Sequence, residues 1–221
     1  MTVHLPIFPL RAVLFPGDLM PLHVFEPRYR LMLSRCAGSD PAFGVVLTRS
    51  GGEVGDEAEI HETGTAARIL EQVVLPDGRS NMLVRGTQRF RVLASDWNQS
   101  YMMATVEWCD APGTSGASAE LIDSVGEIRN LLNCYLSAYS QATGQPARFR
   151  DFGDDPVAFA WAVATTLPMP LESRQRVLEA TPPHELLAVL AETVRHETAL
   201  LIKTGAYAFL PGNPGARFSR N

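Results

Sequence analysis

The chain has 221 residues, a formal net charge of −5, 46% hydrophobic residues and 19% charged ones, the balance of a soluble globular protein with a sizeable core. Acidic side chains outnumber basic ones in both halves, 13 to 10 over residues 1–111 and 11 to 9 beyond, and every basic residue except Lys203 is arginine. No domain-scale positive stripe is left for phosphates, which disfavours nucleic acid as a partner. The longest strongly apolar run, Val157 to Ala164, is too short to span a bilayer, so no membrane is expected. Met1-Thr-Val-His lacks the start of a signal peptide, and Cys36, Cys109 and Cys134 suit neither a disulfide framework nor a zinc knuckle. The cytoplasm is the expected location.

In chain order, residues 3–10 read as a strand with Pro6 and Pro9, positions that cannot donate to a ladder partner. Pro16-Gly17 has the chemistry of a type II turn, and Leu19 to Phe25 reads as a second strand. Pro27 opens a short helix whose apolar face is Tyr29, Met32, Leu33 and Cys36, ended by Gly38. Phe43 to Thr48 is a compact strand. Residues 51–62 then place Gly51, Gly52 and Gly55 among Glu53, Asp56, Glu57, Glu59 and Glu62. A cation site and a solvated loop are the two readings; the spacing matches no calcium loop, which favours the second. Gly64 to Leu75 and Met82 to Leu93 flank Pro76-Asp77-Gly78-Arg79 as a hairpin, and Tyr101 to Cys109 is the last strand. Arg89 and Arg91 alternate with Phe90 and Val92, so the arginines should share the outer face.

After residues 111–117 the period changes. Leu121, Ile122, Val125, Ile128, Leu131, Leu132, Tyr135, Leu136 and Tyr139 form one helical stripe, from a Ser118 cap to Gly144. Asp155-Pro156 starts a buried helix, Ser173 to Glu179 forms a short one, and Thr181-Pro182 opens another that runs to Lys203. Strands followed by helices argue an α+β class: a β-rich part over 1–112, a helical subdomain over 117–204 and a Gly/Pro-rich tail over 205–221. The tail aromatics Tyr207, Phe209 and Phe218 are expected to dock on the body or on a neighbouring chain.

Catalytic motifs are missing. Lys203 stands in no Walker A loop, and without a second lysine there is no Ser-x-x-Lys to accompany Lys203-Thr204-Gly205. His61-Glu62, His184-Glu185 and His196-Glu197 each lack the second histidine of a zinc-protease helix, and no Gly-x-Ser-x-Gly occurs. No cofactor and no metal are called for. His23, Glu26 and Cys36 would make a hydrolase only by converging on one pocket; His23 in an apolar strand reads first as a structural histidine.

Leu5-Pro-Ile-Phe-Pro-Leu-Arg11, Val13-Leu-Phe-Pro-Gly17, Gly64-Thr-Ala-Ala-Arg-Ile69, Asp77-Gly78-Arg79, Gly86-Thr-Gln-Arg-Phe-Arg-Val92 and Tyr101-x-x-Ala104-x-Val106 form an ordered series. It resembles the N-terminal substrate-binding domain of Lon-type ATP-dependent proteases. Phe25-Glu-Pro-Arg-Tyr29 and Phe43-Gly44 look like the stand-alone bacterial members of that family. The resemblance implies a twisted, PUA-like β pseudo-barrel with a small helix, followed by a helical subdomain. It implies a non-catalytic polypeptide-binding module, without the ATPase or the Ser-Lys protease dyad of full-length Lon. Expected partners are unfolded or damaged polypeptides, with a protease or chaperone and a homo-oligomer left open. Phe15, Met20, Phe25, Met102 and Met103 are the candidate peptide-binding residues. The alternative is a PUA-like RNA or small-molecule binder, with Arg79, Arg85, Arg89 and Arg91 as its anion patch.

Overall fold

The computed structural model describes residues 2–36, 38, 42–50, 59–109, 118–148 and 153–204. They form six strands and five helices in two compact units, one strand-rich and one helical. The acidic residues Glu53, Asp56 and Glu57 and the tail from Gly205 lie outside the described residues.

In the strand-rich unit, β1 (Thr2–Leu10) pairs on both sides, parallel to β3 (Phe43–Ser50) and antiparallel to β6 (Met103–Trp108). β4 (Glu59–Val74) pairs antiparallel with β3 and with β5 (Ser80–Asp96). The second half of β5 pairs with β6, so the sheet returns on itself as a ring. β2 (Leu19–Val24) lies outside that ring, held by the first half of β5. Two turns set this path. Gly17 takes φ 81° and the Asp18 N–H donates to the Phe15 carbonyl at 3.1 Å, closing the Pro16-Gly17 turn. Gly78, also at φ 81°, closes the β4–β5 hairpin, with its N–H on the Leu75 carbonyl at 2.8 Å. Both are backbone conformations that glycine adopts without a Cβ penalty.

Alternation along the strands gives the sheet two apolar faces. Leu5, Ile7, Val46, Ala66, Phe90, Met102, Ala104 and Val106 pack together on one. Phe8, Phe43, Val45, Ala67, Met82 and Val84 point the other way, where α1 (Pro27–Cys36) lays Tyr29, Met32, Leu33 and Cys36 over them. Phe8 joins the two elements, its ring 4.2 Å from that of Tyr29 and 5.9 Å from that of Phe43. Phe90 fills the first face because two glycines make room: a Cβ on Gly44 would stand 2.5 Å from its ring and one on Gly64 2.8 Å.

In the helical unit, α2 (Ala119–Thr143) is capped by the Ser118 hydroxyl, which accepts the Leu121 N–H at 3.4 Å, and it ends at Gly144 with φ 68°. α3 (Pro156–Thr166) starts under an Asp155 cap, whose carboxylate accepts the Ala158 N–H at 2.6 Å. Both caps satisfy donors that a helix start leaves open. α4 (Leu171–Glu179) begins two residues ahead of the expected Ser173, because the Pro170 carbonyl already accepts the Arg174 N–H at 2.9 Å. α5 (Pro183–Thr204) packs on α2 and more lightly on α3 and α4. Its buried stripe is Leu186, Leu187, Leu190, Val194 and Leu201. The Tyr135 hydroxyl of α2 and Glu197 Oε1 of α5 are buried with no hydrogen-bond partner among the described residues.

Candidate functional site

β2, the first half of β5 and the end of β4 form a three-stranded arm beside the ring. The register is continuous: Leu19, Pro21 and His23 stand opposite Arg85, Leu83 and Asn81. On the far side of β5 the same rows continue to Arg68, Glu71 and Val73. One face of the arm, carrying Met20, Leu22 and Ile69, leans on the α1-side core. The opposite face is open, with Leu19 47% and Phe25 51% exposed. At the arm's tip Val73 and Val74 are 60% and 64% exposed. Side chains on the open face are held in place: His23 Nδ1 is 2.6 Å from Asn81 Oδ1, and its ring stacks on Phe25 at 6.0 Å.

The ring's closure pins the arm through Gly86. The Gly17 N–H donates to the Gly86 carbonyl at 2.9 Å, and the Gly86 N–H to the Asp18 carbonyl at 3.0 Å. A Cβ on Gly86 would stand 2.1 Å from the Phe15 carbonyl oxygen. The turn before β2 therefore lies directly on β5, and only glycine admits that approach.

The five residues selected from the sequence separate. Phe25 is exposed on the open face of the arm, while Met20 and Met103 are half-buried against the α1-side core. Phe15 and Met102 are core residues and present no surface. Met102 precedes β6, where its carbonyl accepts the Ile7 N–H at 2.9 Å, so it faces the inside of the sheet. Leu19, Leu70, Val73 and Val74 were not selected, although Leu19, Pro21, His23 and Phe25 alternate with Met20, Leu22 and Val24 in period two. Residues 68–74 show no such alternation, since the register shifts between Ile69 and Glu71.

The arginines do not gather into one exposed patch. Arg89 is only 4% exposed, on a level of the sheet where Thr63 and Thr65 are buried too. The expectation that it shares an open face with Arg91 is corrected: the outward side of the strand is itself packed there. Arg79 is bound to Asp77 at 2.6 Å, and this pair holds the Asp77 carboxyl below its usual range, chiefly through the Arg79 backbone N–H. Arg85 and Arg91 are exposed, with no ion pair or hydrogen bond from the guanidinium among the described residues. His23, Glu26 and Cys36 do not converge. His23 is bonded to Asn81, and Glu26 accepts from Arg28 Nε at 3.0 Å. Cys36 is buried, and loss of solvent pushes its thiol up to about 11, the opposite of an activated nucleophile. Among the described residues no cluster of His, Cys, Asp and Glu could hold a metal ion, and no helix is long and apolar enough to cross a membrane.

The strand-rich unit is thus a ring-like sheet with one side arm, and among the described residues His23, Glu26 and Cys36 do not meet on it. The chain belongs to the family of the ATP-dependent protease La (LON) substrate-binding domain, whose model matches residues 4–196. It is 27% identical over 203 residues to Lon protease of Escherichia coli (strain K12), covering 90% of this chain and 25% of that protein. It is 25% identical over 200 residues to Lon protease 2 of Myxococcus xanthus, covering 89% of this chain and 24% of that one. The chain thus spans about a quarter of the length of these relatives. Among solved structures, the Lon N-terminal domain protein from Xanthomonas campestris superposes with TM-score 0.64 at 27% identity, covering 86% of this chain and 98% of that one. The N-terminal domain of Mycobacterium avium complex Lon protease does so with TM-score 0.62 at 19% identity, covering 87% and 98%, a likeness of fold.

Proposed function

We propose that this chain is a non-catalytic polypeptide-binding module that takes up unfolded or damaged segments, on its own or for a protease or chaperone. The observation that carries the reading is the open face of the arm in a member of a substrate-binding family. Apolar side chains at Leu19, Phe25 and Val73 stay exposed there, although the two core faces of the sheet are filled. Apolar surface left in water is costly unless something covers it in use. The conformations of a folded partner do not matter to such a surface; accessible apolar side chains do.

Fluorescence anisotropy of fluorescein-labelled casein, an unfolded polypeptide, tests the reading. Saturable binding on the order of tens of micromolar or tighter is expected. Phe25→Asp weakens it without lowering the thermal midpoint, because Phe25 supports no core contact. Binding that never saturates, or that Phe25→Asp leaves untouched, refutes the assignment to this face.

A further inference from the structure

The ring leaves one whole strand with a single neighbour. Among the described residues β1, β3, β4, β5 and β6 each pair with at least two strands, whereas β2 pairs with β5 alone. The end of β4 beyond Ala67 also runs past its neighbour β3, but it carries Arg68 and Glu71 and a register shift at Leu70. Charge and an irregular register are among the devices by which natural sheet edges avoid extra strands, and Pro21 is the one such device on β2. β2, with the sequence Leu-Met-Pro-Leu-His-Val, has no charged residue and an unbroken register over its six residues.

The hydrogen-bond pattern shows which groups this edge offers. In an antiparallel pair, hydrogen-bonded and non-hydrogen-bonded positions alternate. The bond from the Gly86 N–H to the Asp18 carbonyl makes Asp18/Gly86 a bonded position. Met20/Val84, Leu22/Met82 and Val24/Ser80 then follow as bonded, and Leu19/Arg85, Pro21/Leu83 and His23/Asn81 turn their main-chain groups away from β5. Pro21 falls where its missing N–H costs the sheet nothing. The Leu19 N–H is already taken by Asp18 Oδ1 at 2.8 Å. Among the described residues, what remains is a row of three carbonyls, at Leu19, Pro21 and His23, and a single N–H, at His23.

The geometry points to β-strand addition at β2: an extended polypeptide segment pairs with this edge and lays alternate apolar side chains along Leu19, Pro21 and the His23–Phe25 stack. Every second amide of the occupant donates to the carbonyl row, and the amides between them face solvent. Its intervening side chains lie beside Met20 and Leu22, extending the α1-side core by one strand. Main-chain pairing supplies affinity independent of sequence, and the alternate apolar row supplies selection for unfolded segments over charged ones. The inference rests on the polypeptide-binding reading above and specifies its mode.

The test measures competition with labelled casein by a seven-residue peptide alternating Phe and Ser, together with analogues N-methylated at one amide each. Methylation of every second amide should weaken binding about three- to tenfold, the range of a lost hydrogen bond, while methylation of the amides between them leaves it unchanged. On the protein side, Leu19→Lys should reduce affinity about tenfold or more, and His23→Pro should reduce it by removing the one edge N–H; amide exchange of the ring strands controls for folding. Casein that does not bind refutes the polypeptide reading and this one with it. Casein binding with a peptide that fails to compete, with losses that do not alternate, or with full affinity in Leu19→Lys overturns strand addition and leaves polypeptide binding standing.

Discussion

Replacing Gly86 by alanine separates the turn from the strand it lies on. The new Cβ would stand 2.1 Å from the Phe15 carbonyl oxygen and 3.1 Å from Leu14 Cγ, and the Phe15 and Leu14 side chains are fully buried. The clash is with backbone, so a rotamer change cannot relieve it. Either the turn lifts, losing the bonds of Gly17 and Asp18 to Gly86 at about 1 kcal/mol each, or the core around Phe15 shifts at about 1–3 kcal/mol. The cost is about 1–3 kcal/mol in the strand-rich unit. With an m-value of about 1–2 kcal/mol per molar, the urea midpoint falls by roughly 0.5–3 M. Trp97 and Trp108 report on this unit once Trp161 of α3 is replaced by Phe. Gly126→Ala is the counterpart: in α2, where the added Cβ meets nothing within 4 Å, it should stabilise by about 1 kcal/mol. A Gly86→Ala midpoint within about 0.5 M of the parent would refute the close approach. Since the same turn delivers β2, casein affinity should fall even under conditions where the variant remains folded.

Three further outcomes follow from groups described above. Gly44→Ala should destabilise strongly because its Cβ would enter the Phe90 ring, and Phe90→Leu should relieve part of that loss, a coupling that a double-mutant cycle in urea measures. Burial raises the Glu197 carboxyl above its ordinary 4.5 despite the opposing charge of His196. The folded state therefore disfavours the carboxylate, so the helical unit gains stability as pH falls from neutrality through the raised value and stops gaining below the unfolded one. Glu197→Gln flattens that profile in thermal melts at a series of pH values; an unchanged slope rejects Glu197 as its source. Ellman's reagent at pH 8 should modify the exposed Cys134 rapidly and leave the buried Cys36 untouched until denaturant is added; prompt reaction of Cys36 would contradict its desolvated state.

Local chemistry made much of this architecture readable in the residues alone. Pro16-Gly17 and Pro76-Asp77-Gly78 specify turns because few other residues accept the φ near +80° that Gly17 and Gly78 adopt. Ser118, Asp155 and Gly144 mark helix ends for equally local reasons. The site was less legible because exposure depends on what lies across the sheet. Phe15 and Phe25 are both aromatic residues beside turns or strand ends; one is enclosed by Gly86 and its neighbours, the other overhangs an open face. Alternation placed Phe90 inside and Arg91 outside, yet Arg89 is buried because both sides of β5 are packed at that level. The side arm itself comes from β5 changing neighbours from β2 to β6 along its length, a long-range choice that no window of residues displays.

The closure of the ring also sets an order of events during synthesis. Thr2 pairs with Glu107 and Leu5 with Ala104, so β1 leaves the ribosome long before the strand that closes its second side exists. Until then Val3, Leu5 and Ile7 sit on an open edge, the kind of segment that recruits a wrong neighbour. Pro9 stands in the same row as Val3, Leu5 and Ile7 and ends that row of donors; in the finished sheet the Ile7 N–H donates to the Met102 carbonyl, and Pro6 turns the other way. Pro9 thus closes the row of donors on a strand that must wait for its partner, as Pro21 thins the row on β2, whose edge stays unpaired among the described residues.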